Sequence, residues 1–406
     1  MSFETKIGSF ERMKSLNQST VLNVIRLKEP ISRAEIAKLT KLTPPTVSSL
    51  VSELIDQNLI TEEQASSSKA GGRKPIMLRI NYSAYYIIGV YAAAEVIRGI
   101  ITTMDGKIMF DHRKDIHELP SKDEFMKLII EIIHFILHQS KINKDSILGI
   151  GFAMHGLVNP DKGTAIFSPH LHLTDLPLKE TIEEEFNIPV TVENDVRALA
   201  IGESWFGQGQ GIPDFICLSV GRGIGSGIFI HNEIYQSSFH TAGEIGHTII
   251  DVNGPKCQCG NNGCLEAYAS ESAILQRIVY EESNNPDSLL VHWLTDDKKE
   301  LTIKLVFEAA KAGDPFAISV LTDAGRYLGI AAANMITLLK PSKLIVEGTI
   351  FEEGYFILDP FKEMIKKYTF NSSHEVIDVV CSSLGKTGMV LGAITLVLQK
   401  IFNPNN

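Results

Sequence analysis

Within eighteen residues the chain places one imidazole and three thiols: His247, Cys257, Cys259 and Cys264. Nitrogen and sulfur donors in that number complete a tetrahedral shell around Zn2+, and the glycines among them let the backbone turn tightly enough to bring all four to one point. Four protein ligands leave no open position for water or substrate, so the chemistry implied is structural zinc. The competing reading is a few unrelated small buried thiols. It sits poorly with three of the chain's five cysteines falling in one C-x-C-x4-C run. Cys217, in an apolar stretch, and Cys381 read as ordinary core or near-surface thiols.

The rest of the chain must position such a site. At 406 residues it has room for two or three domains, and 44% hydrophobic content gives each a core. No apolar stretch follows the charges of the first residues, so no signal peptide is expected. The longest apolar runs, around Lys127 to His138 and Gly388 to Leu398, are too short or too interrupted to span a bilayer. A cytoplasmic location is expected, where thiols stay reduced and available to metal. Charge is uneven: residues 1–80 hold 12 Lys or Arg against 8 Asp or Glu, a balance of +4, while the remainder holds 26 against 40, a balance of −14. An acidic body repels nucleic acid, so any such contact falls to the basic head.

The head reads as three short helices and a hairpin. Ser32-Arg33-Ala34-Glu35 is a capping box that starts a helix ending near Lys41-Leu42. Thr43 can cap the next, with Pro44 at its first position, where a missing N–H has no consequence. Val47, Leu50, Val51 and Leu54 then form one apolar face, leaving Thr46, Ser48, Ser49 and Ser52 on the others. Two such helices joined by a short turn form a helix-turn-helix, although a plain helical hairpin with Ser and Thr on its surface would read alike. The segment beyond the second helix favours DNA. Leu59–Thr61 and Ile76–Ile80 are strand-like, and the polar segment between them ends in Gly71-Gly72-Arg73-Lys74, a wing whose cations can follow the phosphate backbone or enter a minor groove. The DNA-contact candidates are therefore Thr46, Ser48, Ser49, Arg73 and Lys74.

From about Asn81 strands alternate with helices, the signature of an α/β body. Strands are expected at Tyr86–Val90, Arg98–Thr102, Lys107–Phe110, Ile147–Phe152, Val190–Val192, Phe215–Val220, Ile228–Ile230 and Lys343–Val346. Helices are expected at Met126–Gln139, Leu178–Phe186, Val196–Trp205, Leu305–Ala312, Ala317–Leu338 and Met389–Leu398.

Four segments of the body, Glu193–Gly207, Gly221–Ile230, Ala242–His247 and Cys257–Glu271, resemble the ROK family of sugar kinases and sugar-responsive repressors. The resemblance covers essentially the whole chain, because repressor members carry a winged helix ahead of an actin-like, ribonuclease-H-like body of two lobes. At Gly71–Asn81 and Asn253–Glu271 it is most similar to repressors of the xylose type. It implies a winged helix-turn-helix over 1–80, a first α/β lobe over 81–198 completed by 388–406, and a second lobe with the zinc site over 199–387. It also implies a sugar site of Asn194, Asp195, Glu244, His247 and Glu266, with Asp195 where the kinases hold their general base. Carboxylates and an amide suit a polyol, since they accept several hydroxyl protons in fixed geometry. Taken singly, Glu244 or Glu266 reads as a surface carboxylate and Asn194-Asp195 as a helix cap.

The phosphate-handling parts depart from the family's kinases. Where those open with an Asp-x-Gly-Gly-Thr-type turn, this chain has Tyr91-Ala92-Ala93-Ala94-Glu95, whose methyl groups obstruct phosphate approach and whose carboxylate repels it. The glycine-rich stretch Gly221–Gly227 survives with Arg222 at a position usually Thr, and Glu347-Gly348-Thr349 keeps part of a glycine pair. No ATP use is expected. The favoured reading is a repressor of a carbohydrate-utilisation operon whose operator affinity changes when a monosaccharide, xylose or another, binds between the lobes. The alternatives are a ROK sugar kinase with an appended DNA-binding head and a repressor governed by a phosphotransferase protein. A homodimer or higher homo-oligomer is expected, because winged helices usually read paired half-sites. In the xylose type the residue after the Glu-Asn pair is often Glu; here Asp195 follows Glu193-Asn194, which leaves the sugar open.

Overall fold

The computed structural model describes residues 10–64, 76–370 and 377–402, with side chains from residue 15 onward. Two compact units arise, one from residues up to 193 together with the stretch from 393, the other from residues 194–392.

In the head, the caps form as local chemistry dictates. Glu35 donates its N–H to Ser32 Oγ at 3.3 Å while its carboxylate accepts from Ser32 N at 2.9 Å, starting the helix Arg33–Thr40, which Lys41 ends at φ 58°. Thr43 Oγ1 accepts from Thr46 N at 3.4 Å and opens Pro44–Asp56. Its apolar side, Val47, Leu50, Val51 and Leu54, is fully buried, and Val21, Leu22 and Ile25 are buried on the helix packed against it. That first helix, Phe10–Lys28, runs 19 residues and is not short. Ile60–Gln64 pairs antiparallel with Ile76–Ile80, which also pairs with the two-residue strand Ile31–Ser32, a small sheet member that its length hides from any periodicity. The wing tip, including Arg73 and Lys74, lies outside the described residues. Glu29 fastens the end of the head, accepting from Ile80 N at 2.7 Å and from the Tyr82 hydroxyl at 2.8 Å.

Each unit is built on a five-stranded sheet, and the two have one plan. In the first, Tyr86–Ala93, Val96–Thr103 and Ile108–Asp115 form an antiparallel meander, with Ile147–Met154 and then Val190–Asn194 added on the free side of Tyr86–Ala93. In the second, Phe215–Val220, Ile224–Ile230 and Glu233–Ile234 form the meander, and Lys343–Glu347 and Asp378–Cys381 add in parallel. This repeated order is the ribonuclease-H-like arrangement. The first core includes Ile88, Val90, Ile129, Ile133 and Phe152. The second includes Leu218, Val220, Leu328, Val346 and Phe361, beneath the 25-residue helix Pro315–Leu339 and the helix Tyr355–Tyr368. The helix expected at Met126–Gln139 begins earlier, at Lys122, because Ser121 and Glu124 form a second capping box. Among the described residues no helix is long and apolar enough to cross a membrane.

Candidate functional site

The donor atoms of His247, Cys257, Cys259 and Cys264 all lie within 4.8 Å of one another. Cys257 Sγ is 3.7 Å from His247 Nδ1, and Cys259 Sγ is 3.6 Å from Cys264 Sγ. Bonds of about 2.3 Å to a tetrahedral zinc place sulfurs about 3.8 Å apart, so the spacing matches a four-coordinate ion. Backbone pairing makes this possible. Cys257 N donates to Asn261 O and Gly263 N to Pro255 O, both at 2.8 Å, closing a loop that carries two thiols on its rim. Ile249 bridges to Cys264, bringing the strand after His247 alongside. Gly263 is obligatory, since it sits at φ 71° and a Cβ there would lie 1.6 Å from Asp251 O. Burial and two neighbouring thiols push Cys264 up to about 12, and burial also raises Cys257. Cys257 and Cys264 resist ionising unless a cation stands at the centre of the group, and the set is compatible with structural zinc.

The candidate sugar residues gather beside this loop. Asn194 ends a strand and caps the helix Asp195–Phe206, its Oδ1 accepting from Val196 N and Arg197 N at 3.0 Å each. Its amide nitrogen donates to Asp195 Oδ1 at 3.0 Å, so Asn194 both starts the helix and orients the carboxylate. Asp195 itself is buried. Glu244 precedes the short helical turn Ile245–His247. Burial raises its pKa, the charges of His247 and Arg197 oppose the shift, and Asp195 and Glu266 add to it. His247, Arg197, Asp195 and Glu266 are thus all within electrostatic reach of Glu244. Glu266 joins the metal loop to the glycine strand: Ile224 N donates to its Oε2 at 3.0 Å, and the Cys257 thiol lies 3.9 Å from its Oε1. Sequence reading passed over Arg197. It is buried in the first turn of its helix and donates to His240 O at 2.9 Å. A lone arginine in an otherwise apolar run, Val196 to Ile201, was the available signal.

Two of the stretches compared with phosphate-binding turns are short connections between paired strands. The strand expected to stop at Val90 continues to Ala93, which pairs with Val96. Ala94-Glu95 is therefore a two-residue hairpin turn that carries a methyl group and a carboxylate. Gly221–Gly223 is likewise a tight connection, with Val220 paired to Ile224 and Gly221 N donating to Gly223 O at 3.0 Å. Gly227 serves packing, since a Cβ there would fall 2.5 Å from the Ala200 methyl on the helix Asp195–Phe206. At the end of Lys343–Glu347, Glu347 accepts from Ser219 Oγ at 2.6 Å. Burial, and the charges of Glu352, Asp195 and Glu271, push it up to about 7.

On the helix Pro44–Asp56, Ser48 and Ser49 are exposed and Thr46 is half-buried, its hydroxyl 2.8 Å from that of Thr43. This helix carries no cation, and its charges are Glu53 and Asp56. Nearby, Arg33 and Arg79 are held by Glu62 and Glu63. The exposed Lys38 and Lys41, which sequence reading did not single out, flank the turn that leads into it.

A winged helix on a duplicated ribonuclease-H-like body with a Cys3His loop defines a class, and comparison with known proteins agrees with it. The ROK family model matches residues 87–400, and a MarR family model matches residues 15–70. The chain belongs to the ROK family. A xylose repressor of Caldicellulosiruptor bescii is 31% identical over 98% of this chain and 99% of its own length. A solved ROK family transcriptional regulator, a homologue of the E. coli MLC protein, superposes with a TM-score of 0.85 at 29% identity, covering 96% of this chain and 98% of its own. A ROK family glucokinase from Streptomyces griseus, solved with glucose and AMPPNP, gives 0.69 at 29% identity, covering 77% of this chain and 99% of its own.

Proposed function

We propose that this protein is a cytoplasmic, sugar-responsive transcriptional repressor of a carbohydrate-utilisation operon. It binds operator DNA through the winged helix of residues 1–80 and changes that affinity when a monosaccharide occupies the wall of Asp195, Glu244, His247 and Glu266, with Asn194 orienting Asp195. One observation carries the reading: the chain keeps the carboxylates that read a polyol, while the stretch that would hold phosphate is a closed two-residue hairpin ending in Glu95. The similarity to a xylose repressor over nearly the whole of both chains supports it. His247, Cys257, Cys259 and Cys264 would hold a structural zinc. That ion supplies charge to ionise the thiols and rigidity to the wall; His247 and Glu266 carry its position to the sugar side. Thr46, Ser48 and Ser49 would face base edges, and Arg73, Lys74, Lys38 and Lys41 the phosphates. The protein would act as a homodimer on paired half-sites.

A second reading, a sugar kinase with an appended head, is favoured by Asp195 and by likeness to the glucokinase over the body. Both are tested by binding of the zinc-loaded protein to its own upstream promoter region, titrated with xylose, glucose and N-acetylglucosamine without ATP. Release by one sugar, lost in Asp195→Ala with operator affinity retained, is expected. Binding indifferent to every sugar overturns the sensor reading. Sugar-dependent ATP consumption that disappears in Asp195→Asn establishes the kinase.

A further inference from the structure

The closing helix Gly388–Phe402 leaves one compact unit and enters the other at Gly392/Ala393. Its first turns belong with residues 194–392 and lie against the helix that Asn194 caps. There the contact is backbone to backbone. A Cβ on Gly392 would fall 2.1 Å from Ala198 O, one on Gly202 would fall 3.0 Å from Gly392 Cα, and one on Gly388 would fall 2.5 Å from a Leu199 methyl. With no side chain between Gly202 and Gly392, these two helices are in direct contact and a shift of one presses on the other. The later turns belong with the first unit and lie as closely on the strand Ile147–Met154, where a Cβ on Gly151 would overlap Ala393 O at 1.7 Å and one on Gly149 would meet Val397 at 2.9 Å.

At its far end, Phe402 is 1% exposed and its ring centroid is 5.6 Å from the Arg26 guanidinium carbon. Arg26 stands in the last turn of Phe10–Lys28, the helix on which both helices of the DNA-binding motif pack. Asn23 Oδ1 accepts from its Nε and Nη2 at 3.2 and 3.0 Å. Burial lowers the pKa of Arg26, and a partly desolvated cation holds an aromatic face more firmly than an exposed one.

We infer that the helix Gly388–Phe402 transmits occupancy of the Asp195 site to the DNA-binding head, with Arg26 and Phe402 as the residues that position the head on the helix end. The inference rests on the sugar-sensor reading for its input and on the DNA-binding head for its output. A displacement of the helix Asp195–Phe206 by a hydroxyl-bearing ligand at its N-terminus is passed on through Gly202 and Gly392. The closing helix carries it as a rigid rod, and Phe402 presses it on Arg26. Two discrete placements of that rod, each favoured by one ligand, constitute the coupling.

Hydrogen exchange of the full-length, zinc-loaded protein tests the link without any sugar. Amides of 195–206 and 388–402 are followed with and without a duplex from the protein's own upstream region, in the parent, in Phe402→Leu and in Arg26→Met. The duplex is expected to change exchange in both helices of the parent about twofold or more, and that change is expected to vanish in both variants while duplex affinity stays within about threefold. An unaltered closing helix in the parent, or a change that persists in the variants, overturns the inference. A sugar titration then separates the two readings. If the parent responds, the ratio of duplex Kd with and without sugar should fall towards one in the variants at unchanged sugar Kd, and a ratio equal to the parent's also overturns it. A parent indifferent to sugars sinks the sensor reading, and the exchange data still decide the link.

Discussion

Glu347 makes the electrostatics of the second unit measurable. Its carboxyl is half-buried at the end of Lys343–Glu347, hydrogen-bonded to Ser219 and surrounded by Glu352, Asp195 and Glu271, so its pKa rises to about 7. Below the usual carboxylate range the group is neutral in folded and unfolded chains alike and stability is unaffected. Between about 4.5 and 7 the unfolded chain ionises first, so stability falls as pH rises. Above 7 both forms are charged and the whole penalty stands. At about 1.36 kcal/mol per pH unit the difference is about 3 kcal/mol, and residual contact with water brings it to about 2 kcal/mol. Glu347→Gln removes the charge and keeps the shape. The variant should therefore exceed the parent by less than about 1 kcal/mol at pH 5 and by about 2 kcal/mol at pH 8.5, the latter about 4–8 °C in Tm for a unit of this size. Thermal unfolding of zinc-loaded protein at the two pH values measures this. An equal gain at both values, or a loss at pH 8.5, refutes the argument, since neither would come from ionisation.

Four further outcomes are expected. Gly263→Ala should abolish stoichiometric zinc, measured by metal analysis of the purified protein, because its Cβ would fall 1.6 Å from Asp251 O. Gly260→Ala, at φ 97° with nothing within 4 Å, should retain zinc with a loss of about 1–2 kcal/mol in stability. Chelation or Cys264→Ser should lower Tm and weaken sugar binding in calorimetry while operator affinity of the remaining folded protein is kept, because the loop braces Glu266 and does not belong to the head. Arg73→Ala should weaken DNA binding across all sequences and make the slope of log Kd against log salt shallower by about one, since a phosphate contact releases about one counterion. An unchanged slope would remove Arg73 from the phosphate contacts.

Much of this molecule is written locally in the chain. The caps at Ser32 and Thr43 need only the neighbouring three residues, so the two helices of the DNA-binding motif were legible with their starts. The clustering of His247, Cys257, Cys259 and Cys264 was legible because four strong donors separated by glycines have few other uses, and loop closure over eighteen residues is entropically cheap. The short strand Ile31–Ser32, the capping box at Ser121 and the helix Tyr355–Tyr368 escaped a reading based on apolar periodicity, since two residues have no period and one box is easily overlooked.

Other features belong to the tertiary structure. The sequence by itself determined which side chains could hold a metal, read DNA or meet a polyol, because each is a property of residue type and of spacing over a few residues. Tertiary contact decided that Tyr91–Ala93 continues the strand beyond Val90, because register with Val96 depends on a second strand. It also decided that Arg197 stands with Asp195 and Glu244, and that burial pushes Glu347 up to about 7. Burial and approach between distant residues depend on how whole helices and sheets pack, and no local pattern in the chain carries that information.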